Sequence, residues 1–378
     1  MSEHLSPDYR DYFETLERRL SEEEDPSTPQ RKPEKASGNE AIRPQRPSVR
    51  RGRRRLNPRA VAVLLAILAV VVIGIIRFCR PQKALPSVRT PEQTQTQTPA
   101  DEAAPTNEET VVFSETDKTA AIPDSNDAQS ALVVCAETRE IVAAREPHQR
   151  LHPASLTKMM TLLEAVETAE DLQDKFIMTA EITDAAYLAK ASLAGFSAGE
   201  EVTVKDLLYG TILESGADAA LGVAVHLAGS EENFVARMNR RAQELGLQDT
   251  HFENVTGLYS EGHYSSAYDM AVILYTAMKN PVCREILSTF QYTTAATKQH
   301  PDGIQLQGTL FSYMYGTEPE TATILGGKTG FINESKYCIA SFGKNNETGT
   351  EYIAVTLKNS TRWPAVFGQI DLYKMFAK

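Results

Sequence analysis

An uninterrupted apolar run, Ala60 to Ile76 (AVAVLLAILAVVVIGII), does most to restrict what this chain can become. Its 17 residues would make a helix of roughly 25 Å, at the short end for crossing a bilayer, and Phe78 and Cys79 extend it. Eight arginines precede it (Arg43, Arg46, Arg50, Arg51, Arg53, Arg54, Arg55 and Arg59) with no acid among them. They outweigh Arg77, Arg80, Lys83 and Arg89 on the other side, which keeps the N-terminus in the cytoplasm and sends the rest of the chain across. A cleaved signal peptide does not fit a basic region this long and this far into the chain. A buried core helix does not fit either, with so much charge on one flank and a structureless stretch on the other. The pattern predicts a single-pass signal anchor over residues 60–79.

That anchor divides the chain. Residues 1–59 are a tail, acidic around Glu22-Glu23-Glu24-Asp25 and then arginine-rich, without the apolar content to bury a core. Residues 80–128 are rich in Pro, Thr and Gln, as in Thr94-Gln95-Thr96-Gln97-Thr98-Pro99, and read as a flexible linker. Folding is thus expected of residues 129–378 alone. The formal charge of -11 argues against nucleic acid as a partner, because topology already accounts for the arginine block. The four cysteines, Cys79, Cys135, Cys283 and Cys338, form no C-x-x-C pair; Cys135 and Cys338 fall in apolar strand-like runs and Cys283 in a helical region, which suits buried free thiols.

From about Gln129 the texture is globular. Ser130–Cys135 and Glu140–Ala144 are β-rich runs around Glu137-Thr138-Arg139, the pattern of a hairpin. A helix is predicted from the Ser155 region, followed by helical periodicity over 205–228 and 231–246 and again over 266–279. Strands return at 322–329, 336–342 and 351–357, and 363–376 reads as a closing helix. Two strands, a block of helices, three strands and a helix imply one mixed α/β domain whose sheet joins its two ends.

Three short segments carry chemistry. Ser155-Leu156-Thr157-Lys158 places a serine and a lysine one helical turn apart on one face. A serine hydroxyl is a weak nucleophile until a base takes its proton, and a lysine of lowered pKa can do so. The helix N-terminus adds N–H groups that favour developing negative charge. Ser215-Gly216-Ala217 lies at the junction of two helical runs. Gly327-Lys328-Thr329-Gly330 precedes a strand pair, its small residues allowing close approach of a ligand and its lysine and threonine offering a charge and a hydroxyl. Each alone is a common pattern. The order S-x-x-K, S-G-x, K-T-G, with gaps of 60 residues (155 to 215) and 113 (215 to 328), is specific.

In that order the sequence resembles the penicillin-recognising serine enzymes, and among them the low-molecular-weight D-alanyl-D-alanine carboxypeptidases. The likeness covers about 129–378 and includes Asp206-Leu207-Leu208-Tyr209-Gly210, Thr256-Gly257-Leu258 and Gly262-His263-Tyr264-Ser265-Ser266-Ala267-Tyr268-Asp269. It implies a β-lactamase/transpeptidase-like fold, an antiparallel sheet flanked by helices with an all-helical subregion. It implies Ser155 as nucleophile, Lys158 as general base, kept neutral by burial and by Lys328, and Ser215 as proton shuttle. Lys328, Thr329 and Gly330 would bind substrate, and the backbone N–H groups of Ser155 and Phe331 would form the oxyanion hole. Substrates would be peptidoglycan stem peptides ending in D-Ala-D-Ala, with β-lactams acylating the same serine. No cofactor or metal is implied, and the catalytic domain would stand on the cell-wall side of the membrane.

One position departs from the pattern. The family's second motif usually ends in Asn, which bonds the substrate backbone and the catalytic lysine; here Ala217 stands in that place, and Asp218 points about 100° away on a helix. Two other readings stay open. One is a catalytically weakened penicillin-binding or wall-binding membrane protein, on account of Ala217. The other is a β-lactamase, which shares the three motifs but needs a deacylating carboxylate, a place that Glu164, Glu167 and Glu170 match poorly because they follow Ser155 so closely on its helix. His251, His263 and Asp269 supply no close metal-ligand pair and read as loop residues with structural hydrogen bonds.

Overall fold

A computed structural model describes residues 110–378 apart from 315 and 318. The tail, the anchor at 60–79 and the linker as far as 109 lie outside the described residues. Among the described residues, no helix is long and apolar enough to cross a membrane.

The chain opens with strands β1 (Ser114–Ala121), β2 (Ser130–Cys135) and β3 (Glu140–Arg145). A 3₁₀ turn at Ala154–Leu156 leads into α1 (Thr157–Thr168), and β4 (Lys175–Ile177) and α2 (Ala180–Leu188) follow. Next come β5 (Glu201–Thr203), α3 (Val204–Ile212), α4 (Ala217–Ala228), α5 (Glu231–Glu244), α6 (Ala267–Lys279) and α7 (Pro281–Ser288). Beyond them lie β6 (Gln291–Thr293), β7 (Gln305–Gln307), α8 (Thr309–Met314), β8 (Ala322–Ile332), β9 (Lys336–Asn345), β10 (Glu351–Asn359) and α9 (Arg362–Phe376).

Six strands form the main sheet in the order β1-β3-β2-β10-β9-β8, so the first and last parts of the domain meet where β2 pairs with β10. Alternation explains its two cores. Leu132 and Val134 of β2, with Ile353, Val355 and Leu357 of β10, face the helical side, where α6 packs. Ala131, Val133, Tyr352 and Ala354 face the other side, against Val366, Ile370 and Tyr373 of α9. Both faces are covered, which is why these strands read as continuous apolar runs.

α1 is the hub of the helical layer. Nine successive residues, Thr157 to Ala165, are buried, as expected of a helix packed on all sides. Side-chain caps start several neighbours: Thr203 accepts from Asp206 N–H, Ser230 from Asn233 N–H and Ser266 from Asp269 N–H.

The domain boundary needs correction. The sequence reading runs the linker to 128, whereas Ser114–Ala121 is a strand of the sheet. It pairs parallel with β3, so the sheet is not wholly antiparallel. Its first six residues are polar and none of the eight is buried, so no apolar alternation marks it. Phe113 and Ile122, each 4% exposed, pin its two ends. The Tyr268 hydroxyl accepts from Phe113 N–H at 2.9 Å and donates to its carbonyl at 3.2 Å.

Candidate active site

The site gathers at the β8 edge of the sheet. Gly326 and Gly327 bring β8 close to its surroundings: a Cβ on Gly326 would come 2.5 Å from the Leu287 carbonyl, and one on Gly327 2.2 Å from that of Ala340. Lys328 then sits opposite Ala340, and Gly330 lies against the nucleophile turn, where a Cβ would come 3.0 Å from Ser155 N.

The nucleophile turn is strained on its near side. Ala154 has φ +49, unusual for a residue with a Cβ. Such backbone costs on the order of 1–3 kcal/mol and persists only where neighbours hold it. Here Glu253 N–H donates to His263 Nδ1 at 3.1 Å, and Thr157 Oγ1 lies 2.8 Å from both His263 Nε2 and the Ala154 carbonyl. The directions follow from that first bond: Nε2–H donates to Thr157, whose hydroxyl donates to Ala154. Burial, then the charges of His152, His251 and Lys158, push the His263 imidazole down to about 3, which keeps it neutral. His263 is thus a structural bracket, and Asp269 accepts from Asp249 N–H and Thr250 Oγ1 instead of meeting it.

Lys158, 2% exposed, reaches from α1 to within 3.3 Å of Ser155 Oγ and donates to the Thr256 carbonyl at 2.6 Å. Burial pushes its ammonium down to about 7, opposed by the Asp218 carboxylate. Lys328, 1% exposed, donates to Ser215 Oγ at 3.0 Å and to the Thr329 carbonyl at 2.8 Å. Burial first, and then Lys158, push it well below the usual lysine range. Ser215 itself has φ +58 in the break between α3 and α4. Thr329 Oγ1 is 2.9 Å from Thr309 Oγ1.

The structure therefore brings the seven sequence-selected residues together. Ser155, Ser215, Thr329, Gly330 and Phe331 line one cleft of about 160 Å³, and Lys158 and Lys328 stand behind the two serines. Cys338, one of three buried free thiols among the described residues, also lines it, with burial pushing it up to about 11. The sequence reading misses Arg362, whose guanidinium lies 4.7 Å over the Tyr313 ring at the cleft wall. It also misses the Thr256 carbonyl, although the Thr256-Gly257-Leu258 likeness points to that loop. Glu164 and Glu167 are elsewhere, lining a separate open cavity with Arg237, Arg240, Arg241 and Glu244.

A family model for D-alanyl-D-alanine carboxypeptidases, peptidase family S11, matches residues 116–361. The chain belongs to that family. This carboxypeptidase-family chain is 33% identical over 237 residues to D-alanyl-D-alanine carboxypeptidase DacF of Bacillus subtilis (strain 168), covering 63% of this chain and 59% of that one. It is 31% identical over 223 residues to the D-alanyl-D-alanine carboxypeptidase of Streptomyces sp. (strain K15), covering 57% and 75%. It spans less than two thirds of DacF, and 40% of the length of DacD from Salmonella typhimurium. The crystal structure of the Streptomyces K15 DD-transpeptidase superposes with a TM-score of 0.58 at 27% identity, covering 66% of this chain and 97% of that one. Penicillin binding protein 5 from Haemophilus influenzae gives 0.60 at 27%, covering 67% and 71%. The mixed α/β fold of these enzymes is the fold of this family member.

Proposed function

We propose that the chain is a serine D-alanyl-D-alanine carboxypeptidase that trims the terminal D-alanine from peptidoglycan stem peptides and is acylated by β-lactams. The observation that carries this reading is the pairing of Lys158 Nζ with Ser155 Oγ at 3.3 Å, with the ammonium pushed down to about 7. A lysine so placed is neutral often enough near neutral pH to act as a base.

Ser155 Oγ attacks the carbonyl carbon between the two D-alanines while its proton passes to Lys158. The N–H groups of Ser155 and Phe331 take the oxyanion. Ser215, bonded to Lys328, relays a proton to the leaving amine; the C–N bond breaks and D-alanine departs. Water then attacks the ester carbonyl and Ser155 is restored. Thr329 and Lys328, with Arg362 at the cleft wall, receive the terminal carboxylate.

A weakened enzyme is the second reading, favoured by Ala217. Its methyl offers Lys158 no hydrogen bond, and Lys158 donates to the Thr256 carbonyl at 2.6 Å. The β-lactamase reading loses support, since Glu164 lies nine residues, roughly 13 Å along the helix, beyond Ser155. The same proposal includes anchoring by residues 60–79, an N-terminus in the cytoplasm and catalysis on the wall side, with protease accessibility of the domain in intact cells as its test.

A fluorescent penicillin and a D-Ala-D-Ala pentapeptide test the reading on the full chain. Label on wild type, none on Ser155→Ala, and D-alanine release are expected. Absence of label sinks serine acylation; label without release favours the weakened binder.

A further inference from the structure

We propose that Asp218 is a positioning residue for acylation: it fastens residues 194–196, next to the cleft-lining Ser192, to the Ser215 motif. The proposal rests on the serine-acylation reading above.

Asp218 is the second residue of α4 and 1% exposed. Its carboxylate turns away from its own helix. Oδ1 accepts from Ala194 N–H at 2.8 Å, and Oδ2 accepts from Gly195 and Phe196 N–H at 3.0 and 3.2 Å. Next to it, Ala217 N–H donates to the Ser192 carbonyl at 2.8 Å. The second and third residues after Ser215 thus hold a whole segment by its backbone.

Glycines close the join. A Cβ on Gly210 or on Gly216 would come 2.8 Å from the Ala194 methyl, so α3 and the Ser215 turn both press on this segment. Gly195 has φ +101, a backbone that lets three successive N–H groups converge on one carboxylate. Ser192, at the start of the held segment, lines the cleft with Ser155 and Ser215. A helix cap would bond the N–H groups of α4; these bonds end instead on residues 194–196, two residues past the cleft-lining Ser192.

The charge has a separate consequence. Lys158 is faced by the Asp218 anion from α4, by Lys328 from β8 and by His263 from the loop before α6, while Glu214 acts on Lys328. Asp218 is the group in this set that favours a proton on Lys158. The hold on this segment and the charge can therefore be separated by substitution.

The test is the second-order rate of acylation by a fluorescent penicillin across pH 5 to 10, normalised to folded protein by thermal melts. Asp218→Asn removes the charge and sets an amide donor against an N–H. It is expected to slow acylation by roughly tenfold or more and to move the acid limb to lower pH by about half a unit. Gly195→Ala strains the segment at φ +101, where its Cβ meets nothing within 4 Å. It keeps the charge, and is expected to slow acylation without moving the limb. Asp218→Glu is expected to restore the limb but not the full rate, and it replaces Asp218→Asn if that variant does not fold. Variants within twofold of wild type with an unmoved limb overturn the proposal. Slowing that merely tracks the unfolded fraction overturns it too. An unlabelled wild type overturns the acylation reading instead.

Discussion

In the proposed mechanism Lys158 must give up its proton before it can serve Ser155, and its surroundings decide at what pH that happens. With burial holding it near 7, kcat/KM for a D-Ala-D-Ala peptide is expected to rise about tenfold per unit well below that value and to level above it. A pH–rate profile that stays flat from 5 to 8 would contradict this. Lys158→Arg, which cannot deprotonate, is expected to lose on the order of 10³-fold or more in acylation while still folding. His263 gives a prediction of stability. Unfolded, the imidazole takes up a proton near 6.5; folded, it resists to about 3. The unfolded state holds more protons between those values, so stability is lost as pH falls through that window. The loss amounts to at most about 1.4 kcal/mol per unit, and His263→Gln is expected to flatten the corresponding slope in denaturant titrations. At this scale the motifs made the grouping of Ser155, Lys158 and Ser215 legible. Asp218 was legible only in part: a helical wheel shows that its side chain leaves the Ser215 direction, but not that residues 194–196 wait there. Arg362 carried no local signal, because its place beside Tyr313 arises from two elements far apart in sequence.

Among the elements, the loop 254–258 carries more than its sequence suggests. The Asn254 side-chain oxygen accepts from Thr256 N–H and hydroxyl and from Gly257 N–H, bending the loop so that the Thr256 carbonyl meets Lys158. Gly257 has φ +76, and a Cβ there would fall 1.9 Å from the Ala154 carbonyl. Gly257→Ala is therefore expected to destabilise the fold by about 1–3 kcal/mol and to slow acylation in the fraction that folds. Thermal melts and penicillin labelling separate the two effects, and full labelling rates would show that the loop does not position Lys158. Strands β2 and β10 were legible because both of their faces pack into apolar cores. The short pairs β4–β5 and β6–β7, three residues each, offered no period long enough to read.

For the molecule as a whole, β1 changes where the folded unit starts. A chain beginning at residue 129 would lack β1, Phe113 and Ile122, and would expose the surfaces they cover. Relative to one beginning at 110, it is expected to lose roughly 3 kcal/mol or more, counting only the burial of those two side chains. Equal melting temperatures would show that β1 is dispensable. The strand order also sets how a mechanical load would enter the domain. β1 lies five strand spacings from β8, roughly 24 Å across the sheet. Tension applied through the N-terminal side of the chain reaches β1 and the Phe113 seat first. If that edge strand peels, β3 through β8 can remain paired, with the cleft at their opposite margin unstretched. A surface-tethered single molecule is accordingly expected to yield a first, low-force extension that leaves penicillin labelling intact. β1 would then serve as a mechanical fuse.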